Sequence, residues 1–165
     1  MQPYLTNRVA FVGEIGSGKT FTGNWLSKNY NYKIFSFAKG LKDIAREYYN
    51  MKNKDRLLLQ NLGDAMRSVD EDVFVKKTLR DIEEYEKQNE NSRIVIDDLR
   101  FFNEYNAIKN IQGSEFTIIR IKTTKKSETQ KKGQNHYSEQ QACQLDAQYE
   151  INSGDFDGLI LILSN

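Results

Sequence analysis

The chain's 165 residues are enough for one domain with a hydrophobic core and too few to expect two. A formal net charge of +1 creates no global field toward nucleic acid or anionic membrane, and no apolar run approaches membrane-span length. The single cysteine, Cys143, excludes an intramolecular disulfide and a multi-cysteine metal site. With no apolar N-terminal stretch of signal length, a soluble cytoplasmic protein is expected, without nucleic-acid or membrane partners.

The first apolar run, Arg8 to Val12, ends in a glycine-rich turn and reads as a buried central strand. From Thr20 the pattern becomes helical, with Phe21, Trp25 and Leu26 on one side and Gly23, Asn24 and Ser27 on the other. Tyr32 to Phe37 reads as a second strand, and Ala38 to Tyr49 as a helix on Leu41, Ile44, Ala45 and Tyr48. A helix over Asn53 to Val69 would bury Leu58, Leu62, Ala65 and Val69, and another over Val73 to Gln88 would bury Val75, Leu79 and Ile82. The charged run Asp81 to Glu90 reads as a solvated face.

Arg93 to Ile96 is a compact strand ending at Asp97-Asp98. A helix from Asn103 to Ile111 and a strand from Glu115 to Ile121 follow. Lys122 to Asn135 is polar and without apolar periodicity. Beyond it come a short helix near Ser138 to Leu145, a brief strand around Tyr149 to Ile151 and a last helix from Phe156. Strands alternating with helices predict a three-layer α/β fold on a five-stranded parallel sheet.

GEIGSGKT fits G-x-x-x-x-G-K-[ST] through Gly13, Gly18, Lys19 and Thr20. Glycines there, Gly16 among them, let successive N–H groups, including that of Ser17, turn inward on phosphates at the start of a helix. Lys19 reaches the β- and γ-phosphates of ATP, and Thr20 supplies a hydroxyl to Mg²⁺. The motif sits between a strand and a helix, as that chemistry requires.

Asp97 and Asp98 stand at the C-terminal tip of an apolar strand, the sheet edge where ligands bind in parallel α/β proteins. Adjacent strand residues face opposite ways, so one of the pair points into the site, while capping of the next helix is the competing role. Arg100 and Glu104 follow directly, and an arginine there can fork across phosphate oxygens. Gln60, Gly63 and Arg67 share one helix face. Gly63 weakens its helix by about 1 kcal/mol relative to alanine, which either a close ligand or a tight helix crossing would explain. Arg120, Lys122, Lys125, Lys126, Lys131 and Lys132, against Glu128 alone, make either a solvated loop or a lid.

GEIGSGKT, FSFAKGLK, LLQNLGDAMR, DDLRFFNE and HYSE, in this order from Val9 to about Leu159, resemble the phage deoxynucleoside monophosphate kinases. The resemblance implies a P-loop kinase fold with helical acceptor-binding elements at about 38–90 and a mobile lid at about 122–136. It implies transfer of the ATP γ-phosphate to a deoxynucleoside monophosphate with Mg²⁺, in the host cytoplasm where phage-encoded. Its register places the catalytic Asp on Asp98 and the Arg on Arg100, although Phe102 replaces the family's proline and Asp97 a small residue. Mg²⁺ is then held by Thr20 and the acidic pair, Asp98 foremost. Gln60, Gly63, Arg67, Arg100 and Glu104 bind the acceptor, and Lys19, Asp98, Arg100 and Arg120 carry the transfer. Asn152 lies beside the adenine, and His136 anchors the lid's return. A kinase for another phosphorylated acceptor such as dephospho-coenzyme A, and an ATP-dependent switch, are the rival readings; homodimerisation is left open.

Overall fold

In the computed structural model, which describes residues 4–111, 115–123 and 137–165, the five apolar runs form one parallel sheet. The strands are β1 (Arg8–Val12), β2 (Tyr32–Phe35), β3 (Arg93–Leu99), β4 (Thr117–Lys122) and β5 (Tyr149–Asn152), ordered β2-β3-β1-β4-β5. Central β1 pairs Val9 with Val95 of β3 on one side and with Thr117 of β4 on the other. Strands buried on both faces need near-continuous apolar runs, and Val9 to Val12 of β1 and Ile94 to Ile96 of β3 supply them.

Alternation along β1 divides the core in two. Ala10 and Val12, with Ile94 and Ile96, face α4 (Val73–Gln88), α5 (Phe102–Lys109) and α6 (Tyr137–Gln144) through Val75, Ile82, Ile108 and Ala142. Val9 and Phe11, with Val95 and Ile119, face Leu26 of α1 (Lys19–Tyr30) and Leu159 and Leu163 of α7 (Phe156–Leu163). Each fully buried side chain of this size contributes about 1.5–3 kcal/mol by leaving water. The remaining helices, α2 (Lys39–Tyr49) and α3 (Arg56–Val69), stand against each other beside the β2 end of the site. Asn31 and Asn50, both left-handed, close α1 and α2.

Several expectations shift. In α1 the buried residues are Lys19, Thr22, Gly23 and Leu26, while Phe21 is exposed. Gly23 faces the sheet because a Cβ there would stand only 3.4 Å from that of Asp97. In α3, Val69 is 89% exposed and Ala65 is also exposed; the buried member is Gly63. The helix turns its Gly63 face inward because its neighbour is the site and Leu41 of α2, not the sheet. Strand β3 extends through both aspartates to Leu99. Of the lid at 122–136 only Lys122 and Thr123 are described; His136 and the other lid lysines lie outside the described residues. Among the described residues no helix is long and apolar enough to cross a membrane.

Candidate phosphate-binding site

Between β1 and α1 the loop Gly13 to Gly18 turns on glycines that no other residue could replace without movement. Gly18 has φ 98°, and a Cβ on it would lie 2.2 Å from Ser153 Oγ; one on Gly13 would lie 2.5 Å from the Ile121 carbonyl oxygen. The loop is therefore wedged against the ends of β4 and β5. Lys19 is buried and donates from Nζ to the Gly13 carbonyl at 2.6 Å and the Glu14 carbonyl at 2.8 Å. Burial, and then the Arg100 charge, push its pKa down to about 8, against Glu139, Asp98 and Asp97, which hold the proton on. Ser17 Oγ is buried with no hydrogen-bond partner. Ser17, Gly18, Lys19 and Thr20 all line one cavity of about 460 Å³.

The two aspartates divide their work, and in the order opposite to the family register. Asp98 accepts from Ser36 Oγ at 2.5 Å, Phe37 N at 2.8 Å and Ala38 N at 3.0 Å, so its carboxylate ties β3 to the turn entering α2. Asp97 faces α1 instead. Its Oδ1 is buried with no hydrogen-bond partner, and the Thr20 hydroxyl is near enough to lower its pKa by hydrogen bonding. Burial, followed by the Asp98 charge, nevertheless pushes Asp97 up to about 6. Asp98 also lines the cavity, but its carboxylate already holds three donors of the β2–α2 turn, whereas Asp97 has an oxygen with no partner, so the structure favours Asp97 over the expected Asp98 as the chief metal ligand. Magnesium wants hard oxygens from one or two carboxylates, a hydroxyl, phosphate and water. Thr20 and the orphaned oxygen of Asp97 fit that set. Among the described residues no group of three or more His, Cys, Asp or Glu is placed to hold a metal, and a phosphate-bridged Mg²⁺ does not require one.

Beyond the acidic tip, Arg100 lies 3.1 Å from Glu139 Oε1 of α6 as an ion pair. The other oxygen of Glu139 accepts from Ile15 N, in the P-loop, at 2.9 Å. One buried carboxylate therefore joins the P-loop, Arg100 and α6. Sequence reasoning assigned Glu139 no role, although it closes the HYSE motif. Glu104 lines the cavity, yet its Oε2 caps α5 by accepting from Arg100 N at 2.9 Å and Phe101 N at 3.0 Å. Burial first, then Asp98, push its pKa up to about 8.

On the far wall, Gln60 and Arg67 of α3 face the same cavity, as their shared helix face predicts. Gly63 does not line it. A Cβ there would meet Arg67 Nη1 at 2.9 Å and Leu41 Cδ2 at 3.2 Å, so the glycine makes room for a guanidinium and for the α2 crossing together. The Arg67 guanidinium carbon stands 4.1 Å from the Phe101 ring centre and 4.9 Å from that of Phe74, with Nη1 3.7 Å from Asp64. Lys42, Lys54 and Arg56, unremarked in the sequence, also line the cavity. Lys42 stands on α2 and the other two at the entrance to α3, so no shared helix face advertises the set.

Two expected site residues stand elsewhere. Arg120 donates to the carbonyls of Ala142, at 3.4 Å, and Leu145, and lies 3.8 Å from Glu150, so it fastens β4 to the end of α6. It does not line the cavity, because the pleat at this position points it away from the P-loop. Asn152 does not line it either; the neighbouring Ser153 is the residue that touches the P-loop glycine.

No protein-family model and no curated protein matches the chain. Among solved structures it is similar to a gluconokinase from Sinorhizobium meliloti 1021 at 11% identity, over 99% of this chain and 91% of that one, with a TM-score of 0.42. It is also similar to a sugar kinase from Janibacter sp. HTCC2649 at 12% identity, over 96% of each chain, with a TM-score of 0.45.

Proposed function

We propose that the chain transfers the γ-phosphoryl group of ATP to a deoxynucleoside monophosphate, forming ADP and the deoxynucleoside diphosphate. The observation that carries this reading is a single cavity lined at its P-loop end by Lys19 and Thr20 and at its α3 end by Gln60 and Arg67. A nucleotide switch requires the first end alone. A phosphotransferase requires both, close enough for two phosphates to meet.

The reaction needs no covalent enzyme intermediate. An oxygen of the acceptor phosphate attacks the γ-phosphorus in line, and the bond to the bridging oxygen breaks with its electrons passing to ADP. A phosphate oxygen is already anionic, so no general base is required. The loop amides and Lys19 hold the donor phosphates, and Arg100 stands between donor and acceptor ends to offset charge. Thr20 and Asp97 would hold Mg²⁺, which when bound neutralises donor-phosphate charge. For the donor phosphates to take Lys19, its Nζ exchanges the Gly13 and Glu14 carbonyls for phosphate oxygens.

The test is a panel of deoxynucleoside and nucleoside monophosphates, with dephospho-coenzyme A alongside, incubated with ATP-Mg²⁺ and assayed for ADP and phosphorylated product. Diphosphate from the deoxynucleotides, abolished by Lys19→Ala, is the expected result. Product from dephospho-coenzyme A alone would overturn the acceptor, and acceptor-independent ATP hydrolysis would point to a switch.

A further inference from the structure

We propose that the acceptor's phosphate is gripped by Lys42 of α2 together with Lys54 and Arg56 at the entrance to α3, with Arg67 serving as a wall of the cavity. The inference rests on the phosphotransferase reading above. It assigns the acceptor subsite to residues other than the one the family resemblance implies.

Elsewhere on these helices the cations are matched. Lys39 and Arg46 share Asp43 at 2.5 and 3.3 Å, and Arg67 has Asp64 at 3.7 Å. Lys42, Lys54 and Arg56 have no such carboxylate among the described residues, although all three line the cavity. The acid between Lys54 and Arg56, Asp55, forms no ion pair with either of them. Asp55 spends its carboxylate on the α3 N-cap, accepting from Leu58 N at 2.9 Å. Arg56 Nη1 is moreover buried with no hydrogen-bond partner. A desolvated guanidinium N–H without an acceptor is unfavourable, and a cavity-side one is satisfied when a ligand supplies the oxygen.

The cations also crowd one another. Burial, and then the charges of Lys42, Arg100 and Arg56, hold the Lys54 pKa below the ordinary lysine range, with Glu139 the opposing carboxylate. Asp97, Asp98 and Glu104 line the same cavity, and Asp97 feels the Lys42 charge, yet none of the three cations forms an ion pair with them, so an anionic ligand is the partner that this wall is built to take. A phosphate monoester suits the set. It carries up to two charges and three terminal oxygens, enough for a fork from arginine and point contacts from two lysines. Arg67, by contrast, is already clasped by two phenyl rings and Asp64.

The experiment compares wild type with Lys54→Ala, Arg56→Ala, Arg56→Lys and Arg67→Ala by steady-state kinetics, after circular dichroism confirms folding. Lys54→Ala and Arg56→Ala should each raise KM for the deoxynucleoside monophosphate by about tenfold or more, leaving KM for ATP within about twofold. Arg56→Lys should recover part of the loss, and it substitutes for the alanine variant if that fails to fold. An equal rise for ATP would make the cluster a donor site, and an acceptor effect confined to Arg67→Ala would return the subsite to Arg67; either result overturns the proposal. If wild type phosphorylates no monophosphate, inorganic phosphate is titrated calorimetrically into full-length Lys19→Ala, whose P-loop is disabled. Binding there that disappears on adding Arg56→Ala upholds the subsite though the substrate reading has failed, and binding of neither inorganic phosphate nor a deoxynucleoside monophosphate overturns it. A monophosphate that binds where inorganic phosphate does not still upholds the subsite and identifies the ester as its ligand.

Discussion

Asp97 and Asp98 carry the same chemistry one residue apart, and the pleat of β3 gives them different tasks. Asp98 holds three donors of the β2–α2 turn. Replacing it with Asn leaves one acceptor oxygen and turns an amide on the remaining donors, so Asp98→Asn should lower stability by about 2 kcal/mol. Asp97→Asn should leave stability unchanged or raise it, because a buried carboxylate with an elevated pKa is removed. It should cut Mg²⁺-dependent turnover by about a hundredfold. Denaturant midpoints and saturating-Mg²⁺ kinetics on both variants settle the division, and a reversed pattern would return the metal to Asp98. Strand alternation made it legible that the two aspartates would have different partners, although both line the cavity. Which partners each would take was not, since that depends on the Ser36–Ala38 turn arriving from another strand. Arg120 illustrates the same limit: a basic residue beside a basic segment looked catalytic, and its partners are carbonyls of a distant helix.

Helix α5 depends on a group whose charge is conditional. Glu104 caps it while fully enclosed, and its pKa of about 8 lies above the ordinary carboxyl value of 4.5. A folded-state pKa raised in this way gives a stabilising contribution that is whole below about pH 4.5 and is lost as pH rises through about 8. The thermal midpoint of the wild type should therefore fall more between pH 6 and pH 9 than that of Glu104→Gln, whose amide oxygen can still accept both N–H groups. Parallel declines in the two proteins would show that Glu104 is ionised in the fold throughout. At this scale the sequence predicted every helix and strand described. It erred on α1, where the close approach to the sheet selects Gly23 and Thr22 over the larger Phe21, and on α3, because apolar periodicity assumes a sheet beneath the helix. Beneath α3 there is instead a polar cavity, so Gly63 and Arg67 are inward and Val69 is outward.

The whole molecule places its chemistry where the chain reverses direction across the sheet. From β1 it passes to the edge strand β2, returns to β3, and then crosses to β4 and β5, so the crevice beside β1 opens at the carboxyl ends of the strands. The alternation of strands and helices revealed the parallel sheet, but not that α2 and α3 would bring Lys42, Lys54 and Arg56 to one wall. Ligand linkage then makes a molecular prediction. ATP-Mg²⁺ at about a hundred times its Kd should stabilise the fold by about 2.7 kcal/mol, a rise in Tm of roughly 5–10 °C for a domain of this size. Lys19→Ala should lose most of that rise in a scanning calorimeter, and a full rise in the variant would remove Lys19 from the donor site.

The only tryptophan in the chain, Trp25, lies flat on Phe156 at 4.2 Å with an 8° tilt, and Tyr30 sits 5.5 Å away. That stack joins the helix that begins at Lys19 to the helix that ends the described chain, just past the loop where Ser153 abuts Gly18. The protein thus carries its own optical reporter, with no label to attach. Its indole emission originates from one seam, so undocking of the C-terminal helix is visible as a single spectral change. Nucleotide entering the loop at the N-terminal end of α1 should perturb that same chromophore, and stopped-flow fluorescence would then read the binding rate.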